Sequence, residues 1–206
     1  MIKNKNKIVI ATGGTGGHIF TSVSLSNFLS KNYQVEFITD KRGLNYFDKN
    51  KNFNVNVINS SPIFSKNIFK FILGLIKFFF TTISSLSLLI KLKPKLIIGM
   101  GGYSSVGVCL AAFFLKIPII IYENNLVIGR ANRFLLPISK KILVSTKSVE
   151  GIKQKYRNKI FLSGFFLRKE VFEIKKKYTN EKQKKLSILI IGGSQSAKVF
   201  GEHLPK

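Results

Sequence analysis

Short apolar runs and longer amphipathic stretches alternate along most of the chain. Ile8 to Ala11 is an apolar run that leads into glycines, and it reads as a buried strand. Runs at residues 35–39, 55–58, 96–98, 117–122, 141–145 and 159–162 read the same way. Between them the spacing predicts helices that start near Gly17 and cover residues 43–50, 68–90, 108–115 and 129–136. Strands that alternate with helical segments predict an α/β fold, a parallel sheet wound by right-handed crossovers.

The pattern changes after residue 163. Residues 164–185 are polar and basic, with Lys175, Lys176, Lys177, Lys182, Lys184 and Lys185, and read as a linker carrying a solvated helix. Leu186 to Ile191 begins a new strand, which enters Gly192-Gly193-Ser194-Gln195-Ser196-Ala197 and an incipient helix. The expected division is residues 1–163, 164–185 and 186–206. A lone β-α unit cannot bury its own faces, so the pattern predicts a truncated second domain.

Residues 68–90 approach the length and apolarity of a membrane span. Lys70 and Lys77 lie within them and are costly at mid-bilayer, and the flanking strands belong to one sheet. The expectation is a helix with one face on the core and the other on a membrane surface. Lys66, Lys70, Lys77, Lys91, Lys93 and Lys95 would meet anionic headgroups along Phe64–Lys95. A plain crossover helix with an apolar outer face is the alternative.

The candidate chemistry lies where strands run into glycines. Gly13, Gly14, Thr15, Gly16 and Gly17 join the first strand to the first helix. Such a turn leaves N–H groups free and aims a helix dipole at a ligand, which makes an anion or phosphate cradle. A second loop, residues 99–107, holds Gly101, Gly102 and Tyr103 and repeats the arrangement. Two such loops in one parallel sheet open at its carboxyl edge and are placed to hold both halves of a diphosphate. Otherwise they are tight turns that need glycine for geometry alone. Ile19 stands where a dinucleotide fingerprint has its last glycine, and no Gly-Lys-Ser/Thr follows.

His18 sits on the first turn after the first loop, either as a general base near neutral pH or as a packing residue. Glu123, Asn124 and Asn125 end the fifth strand. They are placed to bind hydroxyls or orient a base, or else form a solvated turn.

Composition narrows this picture only a little. Hydrophobic residues make up 45% of the 206 and exclude a disordered chain. The net charge of +25 points to anionic partners, but Lys, Asn, Ile and Phe are also what A+T-rich codons supply. Cys109 is a lone cysteine in an apolar run, so neither a disulfide framework nor a metal site is expected. His203 belongs to no cluster, and no signal peptide is evident at the basic N-terminus.

Together, these blocks resemble the MurG family of glycosyltransferases: residues 13–18, Gly99 to Tyr103, Glu123 to Asn125, Gly164 to Arg168 and Gly192 to Gln195, in the family's order. Members transfer N-acetylglucosamine from UDP-GlcNAc to lipid I, giving lipid II for peptidoglycan. The resemblance implies a GT-B architecture with a Rossmann-like N-terminal acceptor and membrane-docking domain and a C-terminal UDP-GlcNAc domain. It implies His18 as catalytic base with Glu123 beside it, and Thr15, Gly16, Gly17, Asn125, Arg168 and Ser194 as substrate-binding residues. Gly13, Gly14, Gly101, Gly102 and Tyr103 become the seat of the acceptor diphosphate. No cofactor or metal is implied. Partners would be the membrane and other cell-wall synthesis proteins, at the cytoplasmic face of the inner membrane. Tyr122, Asn124, Phe165, Phe166, Thr21 and Ser196 depart from the family pattern.

Three rivals remain. An inactive or split-enzyme remnant would bind membrane and lipid acceptor only. A basic nucleic-acid-binding protein is disfavoured, since the aromatics fall in apolar runs. A nicotinamide oxidoreductase has Asp40 as its single candidate for a ribose ligand.

Overall fold

The computed structural model describes residues 5–47, 53–60, 67–168 and 170–171. The chain forms two compact units, residues 1–167 and 168–206. In the second, the Val171 N–H donates to the Arg168 carbonyl (3.1 Å). The predicted strand at 186–191, the loop bearing Ser194 and His203 lie outside the described residues, as do Phe64 and Lys66.

The first unit is built on a parallel sheet of seven strands. In chain order its elements are β1 (Lys7–Ala11), α1 (Gly16–Leu29), β2 (Gln34–Asp40), α2 (Lys41–Leu44), β3 (Val55–Ile58), α3 (Ile68–Leu92), β4 (Leu96–Gly99), α4 (Tyr103–Phe114), β5 (Ile119–Glu123), α5 (Arg130–Leu135), β6 (Lys141–Val144), a 3-10 helix (Gln154–Lys159) and β7 (Ile160–Leu162). The strand order is β3-β2-β1-β4-β5-β6-β7. The order reverses between β1 and β4, and in such sheets ligands bind outside the strand ends at that point.

Alternation along β1 sorts the core into two layers. Val9 and Ala11 pack with Leu89, Val108, Ala111 and Leu135 on the face covered by α3, α4 and α5. Ile8 and Ile10 pack with Ile19, Leu25 and Phe37 beneath α1. Cys109 is fully buried in the first layer, and desolvation pushes its thiol up to about 12, so it is inert.

Several elements differ from expectation, each for a visible reason. The helix expected over residues 43–50 is α2, which starts earlier and ends at Leu44. The Asp40 carboxylate caps it by accepting from the Gly43 N–H (2.7 Å). The helix expected from residue 108 starts at Tyr103, so Gly107 belongs to α4 and not to the second loop. A Cβ on Gly107 would stand 3.1 Å from Thr81 Cγ2, and the glycine serves the close crossing of α3. The 3-10 helix was not expected. Lys159 closes it onto the C-terminal end of α5, donating to the carbonyls of Leu136 (2.9 Å), Pro137 (2.9 Å) and Ser139 (2.6 Å).

The helix α3 is turned inside out relative to an ordinary core helix. Its buried side presents Thr81, Thr82, Ser85 and Leu89. The hydroxyls bond back to carbonyls four residues earlier, Thr81 to Lys77 (2.8 Å), Thr82 to Phe78 (3.0 Å) and Ser85 to Thr81 (2.7 Å), so no buried donor is left open. Small inward side chains let α4 approach closely. Its outward side carries Phe69, Ile72, Ile76, Phe79, Phe80 and Ile83, with Phe69 75% exposed.

Candidate functional site

At the carboxyl edge of β1, β4 and β5 lies a cavity of about 220 Å³, lined by His18, Gly101, Gly102, Tyr103, Glu123, Asn125, Gly129, Arg130, Ala131 and Asn132. The sheet thus brings six predicted site residues together: His18, Gly101, Gly102, Tyr103, Glu123 and Asn125.

His18 arrives on the first turn of α1, because Gly16 and Gly17 let the chain enter the helix directly from the loop. Burial lowers the imidazole below its ordinary 6.5, while the Glu123 charge and a hydrogen bond to the Met100 carbonyl draw it back without cancelling the effect. The ring is therefore neutral at pH 7. The bonded ring N–H fixes the tautomer and leaves the other nitrogen as a proton acceptor. Gly101 has φ +87, and a Cβ on it would stand 3.1 Å from His18 Cε1. Only glycine lets the second loop pass so near the ring.

Glu123 is buried at 2% exposure and organises the opposite wall. One carboxylate oxygen accepts from the Asn125 N–H (3.0 Å) and the Asn125 side-chain amide (2.7 Å). The other accepts from the Gly129 N–H (2.8 Å) and Asn132 Nδ2 (3.0 Å). Four N–H donors fix the carboxylate beside His18. It orients the loop and supplies charge; it is not placed to take a proton.

The two glycine loops lock onto each other. A Cβ on Gly13 would stand within 2.1 Å of Ser104 Oγ, and a Cβ on Gly102 would stand 3.0 Å from the Gly13 carbonyl. Ser104 Oγ donates to the Thr12 carbonyl (3.2 Å). Gly13 thus serves the close approach of the loops. Gly14 has φ +85 with nothing within 4 Å of its Cβ position. Gly17 is exposed. These two, with Thr15 and Gly16, form the approach to the N-terminus of α1 beside the cavity. Arg168 lies in the second unit.

Asp40 is not a ribose ligand. It is 2% exposed and accepts from the N–H groups of Gly43 (2.7 Å) and Gly14 (3.5 Å), from Arg42 (2.9 Å) and from Ser60 (3.2 Å). Burial pushes its carboxyl up, but the Gly43 N–H, Arg42 and the Gly14 N–H outweigh that and hold it below 3.8.

Sequence reading missed Gly129, Arg130 and Asn132 in the lining. A signal was present: Asn132 falls on the helix that follows Asn125 and faces back to the strand end, donating to the Tyr122 carbonyl (2.8 Å). Among the described residues no group of three His, Cys, Asp or Glu side chains is placed to hold a metal. A wider groove of about 920 Å³ runs from Asp40 and Lys41 past Ser60 to Lys77, Phe80 and Leu88.

Residues 8–144 match the family model described as the glycosyltransferase family 28 N-terminal domain. A curated relative from Rickettsia canadensis, named UDP-N-acetylglucosamine–N-acetylmuramyl-(pentapeptide) pyrophosphoryl-undecaprenol N-acetylglucosamine transferase, is 36% identical over 97% of this chain and 55% of its own length. A protein of the same name from Pelagibacter ubique is 36% identical over 95% of this chain and 54% of its own length. The chain spans about half the length of the curated relatives it matches. The structure of Acinetobacter baumannii MurG superimposes with a TM-score of 0.69 at 25% identity, over 97% of this chain and 53% of that one. The UDP-GlcNAc 2-epimerase of Neisseria meningitidis, at 16% identity and a TM-score of 0.58 over 78% of this chain and 47% of that one, shares the fold.

Proposed function

The chain belongs to glycosyltransferase family 28, whose N-terminal domain it carries, and from that premise we propose that it is the acceptor-binding half of an inverting transferase. The reaction is transfer of N-acetylglucosamine from UDP-GlcNAc to lipid I, the undecaprenyl-diphosphate-linked N-acetylmuramyl-pentapeptide, to give lipid II. The relatives' names supply the substrate pair. The observation that carries the reading is the neutral, half-buried His18 held between the Met100 carbonyl and the Glu123 charge.

In this reading the acceptor sugar enters the His18 cavity. Its hydroxyl oxygen bonds to the anomeric carbon of the donor as the bond from that carbon to the UDP oxygen breaks. His18 takes the hydroxyl proton, and Glu123 stabilises the imidazolium that forms. The diphosphate charge faces the N-termini of α1 and α4, with Gly14 to Gly17 at the first and Gly101 to Tyr103 at the second. Asn125, Arg168 and Ser194 belong to the donor side.

The exposed apolar face of α3, fringed by Lys77, Lys91, Lys93 and Lys95, lies on the anionic cytoplasmic surface of the inner membrane. In this reading the chain meets the bilayer, where a lipid-linked sugar resides. Other cell-wall synthesis proteins are further partners in this reading, and nucleic acid is not.

The test is UDP-GlcNAc-dependent transfer to a soluble lipid I analogue. The chain is assayed alone and co-expressed with the C-terminal half of the Pelagibacter ubique relative. Transfer by the pair, little by the chain alone, and loss with His18→Gln are expected. No transfer by the pair, with both halves folded, rejects the reading.

A further inference from the structure

The wider groove lies at the carboxyl ends of β2 and β3 and is lined from α2 and α3; it shares no lining residue with the His18 cavity. Its volume of about 920 Å³ is in the size range of ligand sites. Its walls are tied together. Thr81 Oγ1 donates to the Asn59 carbonyl, which joins the end of β3 to α3. Ser60 Oγ donates to the Asp40 carboxylate (3.2 Å), which joins the same segment to the cap of α2.

The lining joins two chemistries. Lys41, Arg42 and Lys77 bring cations to it. Asp40 is the acidic residue of the described lining, and it is buried and already engaged by Gly43, Gly14, Arg42 and Ser60. Lys41 and Lys77 have no acidic partner among the described residues. Val57, Phe80 and Leu88 supply an apolar wall. On α3, Lys77, Phe80, Thr81, Ser84 and Leu88 recur at the three- and four-residue spacing of one helical stripe. Phe80 also belongs to the outward apolar side of α3, so the groove is continuous with that side.

A soluble phosphate would use the cations and leave the apolar wall wet. An uncharged apolar chain would cover the wall and leave the lysines unpaired. An amphipathic anion satisfies both. We propose that this groove is a discrete site for one anionic phospholipid, its phosphate held by Lys41, Arg42 and Lys77 and its acyl chains leaving past Phe80 onto the outward side of α3. This deepens the membrane reading above and rests on it. A single helix face leaves the domain free to roll about the helix axis on the bilayer. A lipid seated between α2 and α3 adds a second point of attachment and fixes the roll.

The probe is dihexanoylphosphatidylglycerol below its micelle concentration, titrated into the chain by calorimetry and followed by amide NMR. Saturable one-to-one binding that moves the amides of Ser60, Lys77 and Ser84 is expected. Lys41→Gln with Lys77→Gln should weaken it about thirtyfold. Ser84→Trp, which fills the groove and removes no charge, should abolish it. Lys91→Gln with Lys93→Gln, outside the groove, should leave it unchanged. Glycerol 3-phosphate, which lacks the acyl chains, should bind about tenfold more weakly than the lipid, or less well still. Lys41, Lys77 and Ser84 are exposed, so each variant should melt as the wild type does. The inference is overturned by an absence of saturable binding, by binding that survives Ser84→Trp or the Lys41 and Lys77 pair, or by glycerol 3-phosphate binding as tightly as the lipid. Vesicles of phosphatidylglycerol separate the two readings. A chain that binds them but does not take up the soluble lipid overturns this inference and leaves the membrane reading standing. A chain that seats the soluble lipid in the groove but ignores vesicles overturns the membrane reading and keeps the site.

Discussion

The second glycine loop runs against the face of the proposed base: a Cβ on Gly101 would come within 3.1 Å of His18 Cε1, at a residue whose φ is +87. Space and backbone conformation both demand glycine there. Gly101→Ala adds left-handed strain of about 1–2 kcal/mol and pushes on the imidazole. The expected result is a lowered unfolding midpoint and a more than tenfold loss of transfer, with little change in KM for UDP-GlcNAc. Thermal melts and steady-state kinetics of the reconstituted pair check both.

The half-buried imidazole of His18 sets a pH dependence whose sign follows from the direction of its shift. The folded-state value lies below 6.5, the ordinary value, so the unfolded chain takes up the proton more readily. The corresponding stability is complete above 6.5 and is lost as pH falls through 6.5 toward the folded-state value. In His18→Gln this part of the acid-side slope disappears. Urea midpoints measured between about pH 5 and 8 compare the two, and parallel slopes would count against a desolvated, neutral His18.

Glu123 holds four N–H donors. Glu123→Gln turns an NH2 group toward donors, leaves buried N–H groups unpaired and is expected to cost about 3 kcal/mol. It also removes the charge that raises His18. In whatever activity survives, the acid limb of the rate profile moves to lower pH. A limb that moves up would mean Glu123 does not act on His18.

The crossing of α3 over α4 depends on Gly107 lying under Thr81. Gly107→Ala is expected to cost about 1–2 kcal/mol through overpacking, and Thr81→Ser, which deletes the opposing methyl, to recover part of it. A double-mutant cycle of unfolding free energies reads the coupling. Additive losses would place the strain elsewhere.

Much of this arrangement was legible in the sequence because it is periodic or local. Ile8 and Ile10 against Val9 and Ala11 announce a strand buried on both faces, and glycines after β1 and β4 announce loops at one edge. Gly107 was misread because a glycine required for helix packing has the same sequence signature as one required for a turn. Asp40 was visible as an acidic strand end, but its saturation by Gly14, Gly43, Arg42 and Ser60 is a tertiary fact. Asn132 was missed because, although its place on the helix after Asn125 is a signal, its role comes from the geometry of its amide against Tyr122 and Glu123.

Burial on a bilayer is tested by the outward face of α3. Phe79 and Phe80 are 63% and 62% exposed, with Ile76 and Ile83 on the same helix, so nothing among the described residues of the first unit covers them. Inserting one such ring into the acyl boundary is worth roughly 1.5–3 kcal/mol, and each nearby lysine about 1 kcal/mol on an anionic surface. Phe79→Ser with Phe80→Ser is expected to weaken binding to vesicles of phosphatidylglycerol and phosphatidylethanolamine more than a hundredfold. Because neither side chain is buried, the fold should melt unchanged. Lys91→Gln with Lys93→Gln should lower affinity about thirtyfold on those vesicles and have no effect on vesicles of phosphatidylcholine. Salt should weaken the wild type toward the lysine variant but leave the serine variant weak. If the serine variant keeps its vesicle affinity, the apolar face of α3 meets a protein and not a lipid surface, and the membrane part of the proposed function fails while the His18 chemistry stands.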